Sequence, residues 1–369
     1  MKLSHSKLST ILSDPISYYL SYIEGISLKE TKPALAIGSA VHWGIEHNTE
    51  DLSEYFKESG NFKQATGYTK EQLLSEAMVH GYLKHKDEIF EKILTAKDGS
   101  KAELVEETHE LYVTAKVSSK AFADVVHDFV GIIDLLLLTD KGFVIIDYKT
   151  STFEPDWNGY LDQIYRYIML LKDAFPGVPI FKIGIINIRK SGIRQKRNES
   201  ESEFLNRLKF EYDVNDENYV NYHEYLPEEL DENLIANYIE NLKLMCDLAY
   251  EIDKRQLFFI NYGAQKNQYG KSQFYDIIYE TDNAELLYNI SDTIWDNDIN
   301  DFVYIRDCIK LDMEVIKYSN CMNKYLLFKH EIVENGLSDE TIEQIKRNYR
   351  TDDELLNKYI ETYKHEMGC

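Results

Sequence analysis

Two apolar segments, each interrupted by one acid, constrain this chain more than any other feature. The segment VGIIDLLLL carries Asp134, and the segment FVIIDYKTS carries Asp147 and Lys149. Both are apolar on either side of the acid, which predicts β-strands covered on both faces. Because side chains alternate along a strand, Asp147 and Lys149 project from one face. Two carboxylates and an ammonium group in buried strands need compensation, and a divalent metal with a phosphate substrate would supply it.

The TDKG sequence between these segments predicts a tight hairpin turn. If Leu138 pairs with Phe143, then Asp134 pairs with Asp147, and their Cβ atoms lie about 5 Å apart. Like charges at that distance repel unless a cation lies between them. Alternatively, a three-residue loop with a bulge at Gly142 would shift the register by one residue and send the two aspartates to opposite faces. A further alternative is that both aspartates are ordinary polar residues on an exposed face.

The composition is that of a globular protein of one large domain or two. The chain has 369 residues, of which 44% are hydrophobic and six are proline. The first residues lack the apolar run of a signal peptide, and VGIIDLLLL is too short to cross a bilayer. The four cysteines have no CxxC spacing, so we expect reduced thiols and no zinc site. We therefore expect a cytoplasmic protein without a membrane segment.

The net charge of −23 argues against nucleic acid as a partner for the whole surface. The stretch KIGIINIRKSGIRQKR, residues 182–197, nevertheless holds six basic residues and no acid. One local basic strip is compatible with salt-sensitive DNA binding, and a solvated basic loop is the alternative. The candidate DNA contacts in this strip are Arg189, Lys190, Arg194 and Lys196.

The order of predicted elements indicates the fold class. Helices precede a strand at 103–117, the hairpin at 130–149 follows, and a helix at 159–174 leads into another strand. This order predicts an α/β fold with a mixed central β-sheet flanked by helices. From about residue 228 the chain is acidic with helical periodicity, and we expect residues 279–369 to form a helical, acidic C-terminal region.

Four separated motifs occur in a fixed order: GSAVH at 38–42, GIID ending at Asp134, the DYK tripeptide of β-strand residues 147–149, and LDQIYRY at 161–167. Together they resemble the RecB-type branch of the PD-(D/E)XK nuclease superfamily, which includes phage exonucleases and CRISPR adaptation nucleases. The resemblance covers residues 1–278. It implies a restriction-endonuclease-like catalytic core at about 36–200, with residues 279–369 as an extension.

The resemblance also implies roles for individual residues. A divalent metal, Mg²⁺ or Mn²⁺, would be bound by His42, Asp134, Asp147 and the backbone carbonyl of Tyr148. Lys149 would act on the attacking water and on the phosphate, so that Asp134, Asp147 and Lys149 form the catalytic set. Gln163 and Tyr167, one helical turn apart, would contact DNA. Because imidazole suits Mn²⁺ better than Mg²⁺, we expect Mn²⁺ to support at least equal activity.

Many proteins of this branch carry a 4Fe–4S cluster, and this sequence departs from them. The expected ligand positions hold Asp14, Gln265, Ser272 and Ile278, and no thiolate is available there. We therefore expect no iron–sulfur cluster. Instead, we expect the later segment to pack on the N-terminal helix through aromatic residues, namely Phe258, Phe259, Tyr269 and Phe274.

The resemblance implies a metal-dependent DNA nuclease of a bacterial or phage-infected cell. It also implies an exonuclease that acts on DNA ends in recombination, repair or phage DNA processing. A structure-specific or single-strand endonuclease is the first alternative. A non-catalytic protein that binds DNA ends or a partner is the second, and the presence of both aspartates and Lys149 argues against it. A protein partner, or self-association through the C-terminal helices, is a further expectation.

Overall fold

The computed structural model describes residues 2–23, 26–28, 33–58, 69–153, 155–225, 229–255, 260–267, 270–279, 288–290, 293–296, 301–304, 338 and 341–342. Its helices are α1 (His5–Ser13), α2 (Pro15–Tyr18), α3 (Pro33–Glu46), α4 (Ser53–Glu58), α5 (Thr69–Leu94), α6 (Leu161–Ala174), α7 (Glu201–Val214), α8 (Asp216–Tyr219), α9 (Glu232–Arg255), α10 (Tyr262–Gln265) and α11 (Tyr275–Ile278). A π-helical turn spans Tyr19–Ile23, and a 3₁₀ turn spans Trp157–Tyr160. None of the described helices is long and apolar enough to span a bilayer.

Among the residues described, the strands form one principal sheet and three short ribbons. They are β1 (Lys2–Leu3), β2 (Ile26–Leu28), β3 (Leu104–Ser118), β4 (Val126–Thr139), β5 (Gly142–Ser151), β6 (Ile180–Arg189), β7 (Val220–Glu224), β8 (Lys266–Asn267), β9 (Gly270–Lys271), β10 (Tyr288–Ile290), β11 (Thr293–Asp296) and β12 (Asp301–Tyr304). The principal sheet has the order β1-β4-β5-β6-β7, and β3 also pairs with β4. Strand β5 is antiparallel to β4 and parallel to β6, so the sheet is mixed, as predicted.

The chain divides into two compact units. The first comprises Met1–Lys29, Lys116–Phe129 and Asn241–Cys369, and the second comprises Glu30–Ala115 and Val130–Glu240. The predicted domain boundary at residue 278 lies within the first unit and stays a prediction, because most of 279–369 lies outside the described residues.

The region at 279–369, which the sequence predicts to be helical, contains three described strands. Residues 288–290, 293–296 and 301–304 are the strands β10, β11 and β12. Strands β11 and β12 pair with each other in antiparallel orientation. Their sequences, TIWD and DFVY, are rich in β-branched and aromatic side chains, which pack well on a pleated surface.

The core of the second unit lies between one face of the sheet and three helices. Alternate residues of β5, namely Val144, Ile146 and Tyr148, belong to this core together with side chains of α3, α5 and α7. The period of two along a strand therefore turns Asp147 and Lys149 to the opposite face. Helix α6 meets these two residues there, because Gln163 of α6 hydrogen-bonds to both.

Gly142 fixes the hairpin at its turn. Its φ is +122°, and a Cβ atom at this position would lie 2.2 Å from the carbonyl oxygen of Pro179. The next residue, Phe143, donates its N–H to the same oxygen at 2.8 Å. Only glycine permits this approach of the turn to the start of β6.

A buried polar cluster in the first unit joins residues that are far apart in the sequence. The Gln265 amide donates to Asp14 Oδ2 at 2.7 Å, and the backbone N–H of Asn261 donates to Asp14 Oδ1 at 3.0 Å. The Ser272 hydroxyl donates to Gln265 Oε1 at 2.5 Å. We call Asp14, Asn261, Gln265 and Ser272 the Asp14 clasp. Asp14 and Gln265 are both buried, so each hydrogen bond satisfies a group that water does not reach.

The Asp14 clasp changes the sequence-based interpretation of this region. Four positions of the sequence are expected to have lost the cluster ligands. Three of them form a chain of hydrogen bonds, in which Gln265 is bonded to both Asp14 and Ser272. The fourth, Ile278, is the last residue of α11. The expected aromatic packing falls on Phe258, Phe259 and Tyr269, which lie outside the described residues. Phe274 is fully buried. In the part of this region that the structure describes, hydrogen bonds of the Asp14 clasp join the N-terminal segment to the segment around Gln265.

Candidate active site

The β4–β5 hairpin has the predicted register. Leu138 pairs with Phe143, and the ladder continues from Thr139 and Gly142 to Leu135 and Ile146. The turn contains two residues, 140–141, so the three-residue alternative does not form. Continued by one further pair, this register would set Asp134 opposite Asp147, and alternation turns both side chains away from the face that carries Leu135 and Ile146.

Asp147 lies at the centre of a hydrogen-bonded network. Its Oδ2 is 2.5 Å from Lys149 Nζ, and its Oδ1 accepts from Gln163 Nε2 at 2.9 Å. Lys149 Nζ also donates to Gln163 Oε1 at 3.0 Å. The Tyr167 hydroxyl lies 3.3 Å from Asp147 Oδ1 and accepts from Gln163 Nε2 at 2.6 Å. Gln163 therefore holds both charged groups in place from the helix.

The sequence of α6 explains why Gln163 and Tyr167 face the sheet. They lie four residues apart, hence on one side of the helix. Ile164, Ile168 and Leu171, at helical spacing on the neighbouring stripe, are all buried. Gln163 and Tyr167 are therefore held against Asp147 and Lys149. Their predicted contact with DNA is not tested by this arrangement and stays a prediction.

Burial and neighbouring charge determine the ionisation of the network. Burial has the largest effect and raises the pKa of Asp147; Lys149 opposes this shift and Asp134 adds to it. Burial by itself would lower the pKa of Lys149, but attraction to Asp147 and Asp134 outweighs burial and raises it. Lys149 is therefore cationic at neutral pH.

His42, on α3, meets the hairpin at Tyr148. Its Nε2 lies 3.1 Å from the Tyr148 carbonyl oxygen, and its Nδ1 lies 3.8 Å from Asp134 Oδ2. A carbonyl oxygen only accepts, so Nε2 carries a proton, and Nδ1 is the ring nitrogen that faces Asp134. Asp134 Oδ2 in turn accepts the Tyr148 N–H at 2.7 Å. The Tyr148 peptide thus orients both predicted ligands.

Glu110, on β3, is a candidate ligand that the sequence analysis missed. Ligand atoms of His42, Glu110 and Asp134 all lie within 4.8 Å of one another. Glu110 has a φ of 48°, in the left-handed region that non-glycine residues seldom adopt. Loss of regular strand geometry at this residue interrupts the alternation of β3, so no periodic signal marks it. An uncommon backbone conformation beside other ligand-type side chains is typical of functional sites.

The electrostatics of Glu110 indicate a site suited to a cation. The pKa of Glu110 is raised to about 8, first because the surrounding protein displaces water, and then because Asp134, Glu46 and Asp147 repel a negative charge. The residue as a whole is exposed, so water screens part of this repulsion. Imidazole and carboxylate donors at this spacing fit a divalent ion, whose bonds to such ligands are about 2.0–2.6 Å long.

Asp147 is not part of that group of three. Its two oxygens are engaged by Lys149, Gln163 and Tyr167. Its predicted role as a metal ligand, like that of the Tyr148 carbonyl, stays a prediction. The third side chain within 4.8 Å of the ligand atoms of His42 and Asp134 is that of Glu110.

The four candidate residues of the basic strip fall into two pairs that differ in their contacts. Arg189 Nη1 donates to the Asn218 carbonyl at 3.3 Å, and Lys190 Nζ donates to the Ala34 carbonyl at 3.3 Å. The side chains of Arg194 and Lys196 are exposed on the following loop. All four remain candidate DNA contacts, but the first two also bind backbone of this chain.

Comparison with known proteins places these residues in a family. The family model of the PD-(D/E)XK nuclease superfamily matches residues 2–250, which is more than half of the chain and includes every site residue described above. No curated protein sequence matches the chain significantly.

The solved structures that match the chain include two at low identity. A candidate exonuclease from Eubacterium rectale is 14% identical, with 69% of this chain and 82% of that chain covered and a TM-score of 0.44. The protein SSO0001 is 12% identical, with 57% of this chain and 84% of that chain covered and a TM-score of 0.21. Both TM-scores are too low to support an assignment of function.

Proposed function

We propose that this chain, which belongs to the PD-(D/E)XK nuclease superfamily, is a metal-dependent DNA exonuclease. One observation carries the proposal: the Asp147–Lys149–Gln163 network and the His42–Glu110–Asp134 group lie at the same end of one hairpin. A cation-binding group beside a fixed ammonium is suited to phosphodiester hydrolysis. The exonuclease part rests on the resemblance of the four motifs to the RecB-type branch.

Each residue has a role that follows from its contacts. His42, Glu110 and Asp134 would hold Mg²⁺ or Mn²⁺, which when bound would supply a reactive water and polarise the phosphate. Lys149 places its charge where negative charge accumulates on the phosphate oxygens. Asp147 and Gln163 hold the ammonium by an ion pair and a hydrogen bond, so it need not reorganise during the reaction.

DNA is the proposed partner, and the proposed location is the cytoplasm of a bacterial or phage-infected cell, with roles in recombination, repair or phage DNA processing. A protein partner or self-association through the C-terminal region is part of the same proposal. Arg194 and Lys196 would contact the DNA backbone, because their side chains are exposed on the loop after β6.

The proposed activity is tested by one digestion panel. End-labelled linear duplex, single strands and closed circular DNA are each incubated with the protein and Mn²⁺ or Mg²⁺. We expect linear DNA to be degraded from its ends, Mn²⁺ to be at least as effective as Mg²⁺, and closed circles to survive. Cleavage of circles at a similar rate would identify an endonuclease. Binding of DNA ends without cleavage of any substrate would identify a non-catalytic protein.

Glu110 should make metal binding depend on pH. Below its pKa of about 8 the carboxyl carries a proton that a metal ion must displace. We therefore expect release of about one proton per metal ion near pH 7, and an affinity that rises up to about tenfold per pH unit below pH 8. Calorimetric titration with Mn²⁺ in buffers of different ionisation enthalpy measures the released proton.

The Glu110→Gln variant supplies the control for that titration. It should bind metal more weakly and lose the proton release, whereas Glu106→Gln, an exposed acid of the same strand, should match the unaltered protein. In the metal-free protein, the raised pKa means that the folded state holds more protons than the unfolded chain between pH 4.5 and about 8. Stability should therefore fall as the pH rises through this interval. Proton release that persists in Glu110→Gln would contradict the assignment.

The basic strip predicts a difference between two double variants. Replacing Arg194 and Lys196 with glutamine should weaken DNA binding and reduce the slope of log K against log salt by about 1.4–1.8. Replacing Arg189 and Lys190 should instead lower thermal stability, because each donates to a backbone carbonyl of this chain. Binding measured from low to moderate salt separates the two. An unchanged slope in the first variant would show that the loop is only solvated.

A further inference from the structure

Asn187 lies next to Lys149 in the sheet. It belongs to β6, a strand that contributes no catalytic residue to the proposed mechanism. Strands β5 and β6 are parallel, and Lys149 is paired with Asn187 in their register. On the other side, Asn187 is paired with Asn221 of β7. Neighbouring strands are about 4.8 Å apart, so these three residues form one row across the sheet.

The side chain of Asn187 is on the same face as Lys149. The neighbours of Asn187 in β6, Ile186 and Ile188, belong to the core formed with α3, α5 and α7. Alternation along the strand therefore turns Asn187 to the opposite face, which carries Asp147 and Lys149.

The burial of the Asn187 side chain is unfavourable for the free energy of folding. Its exposed fraction is 0%, and neither its Oδ1 nor its Nδ2 has a hydrogen-bond partner among the described residues. A buried amide without partners destabilises a protein, and an apolar residue of similar shape is neutral or better at such a position. Its neighbours in β6, Ile186 and Ile188, are apolar. Asn187 therefore requires a partner that the side chains described around it do not provide.

The Lys149 ammonium group has three donors, of which one faces Asp147 Oδ2 and another is directed to Gln163 Oε1. The group also lies 5.3 Å from the centroid of the Tyr160 ring, and this contact leaves the third donor without an oxygen acceptor among the bonds described. We infer that Asn187 positions Lys149 through one ordered water molecule, which accepts from Nζ and donates to Oδ1 of Asn187. A water bridge of this kind is nearly as favourable as a direct hydrogen bond. It would hold the ammonium from the neighbouring strand β6.

The inference rests on the proposed nuclease activity and adds a third residue that positions the Lys149 ammonium group. Asp147 and Gln163 restrain the Lys149 side chain from its own strand and from α6. Asn187 would add a restraint along the sheet, from the neighbouring strand β6. A misplacement of about 1 Å in such a group can cost about a hundredfold in rate. Asn187 is therefore a positioning residue that does not touch DNA.

Steady-state cleavage of linear duplex with Mn²⁺ by Asn187→Leu tests the inference. We expect kcat to fall about 10- to 100-fold with KM within about twofold, because substrate contacts are unchanged. Thermal stability should be equal or higher, because the substitution removes Nδ2, which has no partner even when the water is bound to Oδ1. Asn187→Ser, which offers the water a hydroxyl in place of the amide oxygen, should recover part of kcat relative to Asn187→Leu. Asn221→Leu, in the same row but not beside Lys149, should match the unaltered protein.

Three outcomes decide against the inference. If Asn187→Leu cleaves at the normal rate while Lys149→Ala is inactive, Asn187 does not position the lysine and the proposed activity stands. If the fall in kcat matches the fall in the fraction of protein that is folded, the role of Asn187 is structural. If the unaltered protein cuts no DNA, both the proposed function and this inference fail. Should Asn187→Leu misfold, the pair Asn187→Ala and Asn187→Ser, which differ by one hydroxyl, gives the same comparison.

Discussion

Lys149→Met is expected to lower the rate of DNA cleavage about 10²–10³-fold, the usual effect of removing one preorganised electrostatic group. Methionine keeps the apolar part of the side chain and removes only the ammonium. The ion pair to Asp147 Oδ2 and the hydrogen bond to Gln163 Oε1 are then lost. DNA binding should persist, because the proposed backbone contacts lie on the loop after β6. Single-turnover cleavage and filter binding on the same duplex measure the two effects.

A control on the same hairpin shows whether the effect is specific. Lys141→Met removes an ammonium from the turn, where it contacts only the Ser100 region and the ring of Phe181 among the bonds described. Its cleavage rate should stay within about threefold of normal. If Lys149→Met cleaves as fast as Lys141→Met, the assigned active site is wrong.

Asp14→Ala is expected to lower the free energy of unfolding by about 2–5 kcal/mol, because buried donors lose their acceptor. The Gln265 amide and the Asn261 N–H both donate to the Asp14 carboxylate. Removing that carboxylate leaves the Asn261 N–H without this acceptor, and it leaves the buried Gln265 amide with only the Asn261 carbonyl, at 3.2 Å. Chemical denaturation followed by circular dichroism measures the loss.

Asp14→Asn separates the hydrogen bonds from the charge. It keeps one carbonyl acceptor and should therefore recover part of the stability. Asp87→Ala, at an exposed position of α5, should change stability by less than about 0.5 kcal/mol. An Asp14→Ala protein that unfolds at the same denaturant concentration as the unaltered chain would show that the Asp14 clasp does not hold these segments together.

The hairpin could be predicted from the sequence because two independent signals agree there. The apolar runs fix which residues are buried, and the TDKG turn fixes the pairing of Leu138 with Phe143. The same reasoning applies to α6, where a spacing of four residues sets Gln163 and Tyr167 on one side. Local patterns of this kind depend only on neighbours in the chain.

Glu110 could not be predicted because its position depends on an uncommon backbone conformation. Strand β3 contains several acids, and nothing in their spacing separates Glu110 from Glu106 or Glu107. A φ of 48° at one residue decides which acid reaches His42 and Asp134. Long-range partners impose such a conformation, and sequence periodicity does not report it.

The Asp14 clasp escaped prediction for a different reason. Aromatic residues are frequent near residue 260, and hydrophobic packing is the ordinary way to join two segments. Asp14 and Gln265 are 251 positions apart, and their hydrogen bond depends on a tertiary contact that single-sequence reasoning does not supply. Arg189 and Lys190 illustrate the same difficulty, because their carbonyl acceptors come from distant parts of the chain.

The Tyr148 peptide gives the candidate metal site a built-in spectroscopic reporter. Its N–H donates to the Asp134 carboxylate and its carbonyl lies against the His42 ring, so one amide is bonded to two candidate ligands. A cation that draws electron density from Asp134 would weaken the bond from that N–H. The amide chemical shift of Tyr148, and its rate of exchange with deuterium, should therefore follow metal occupancy without any nucleic acid present. Binding could thus be titrated in a catalytically dead variant and compared directly with the onset of cleavage.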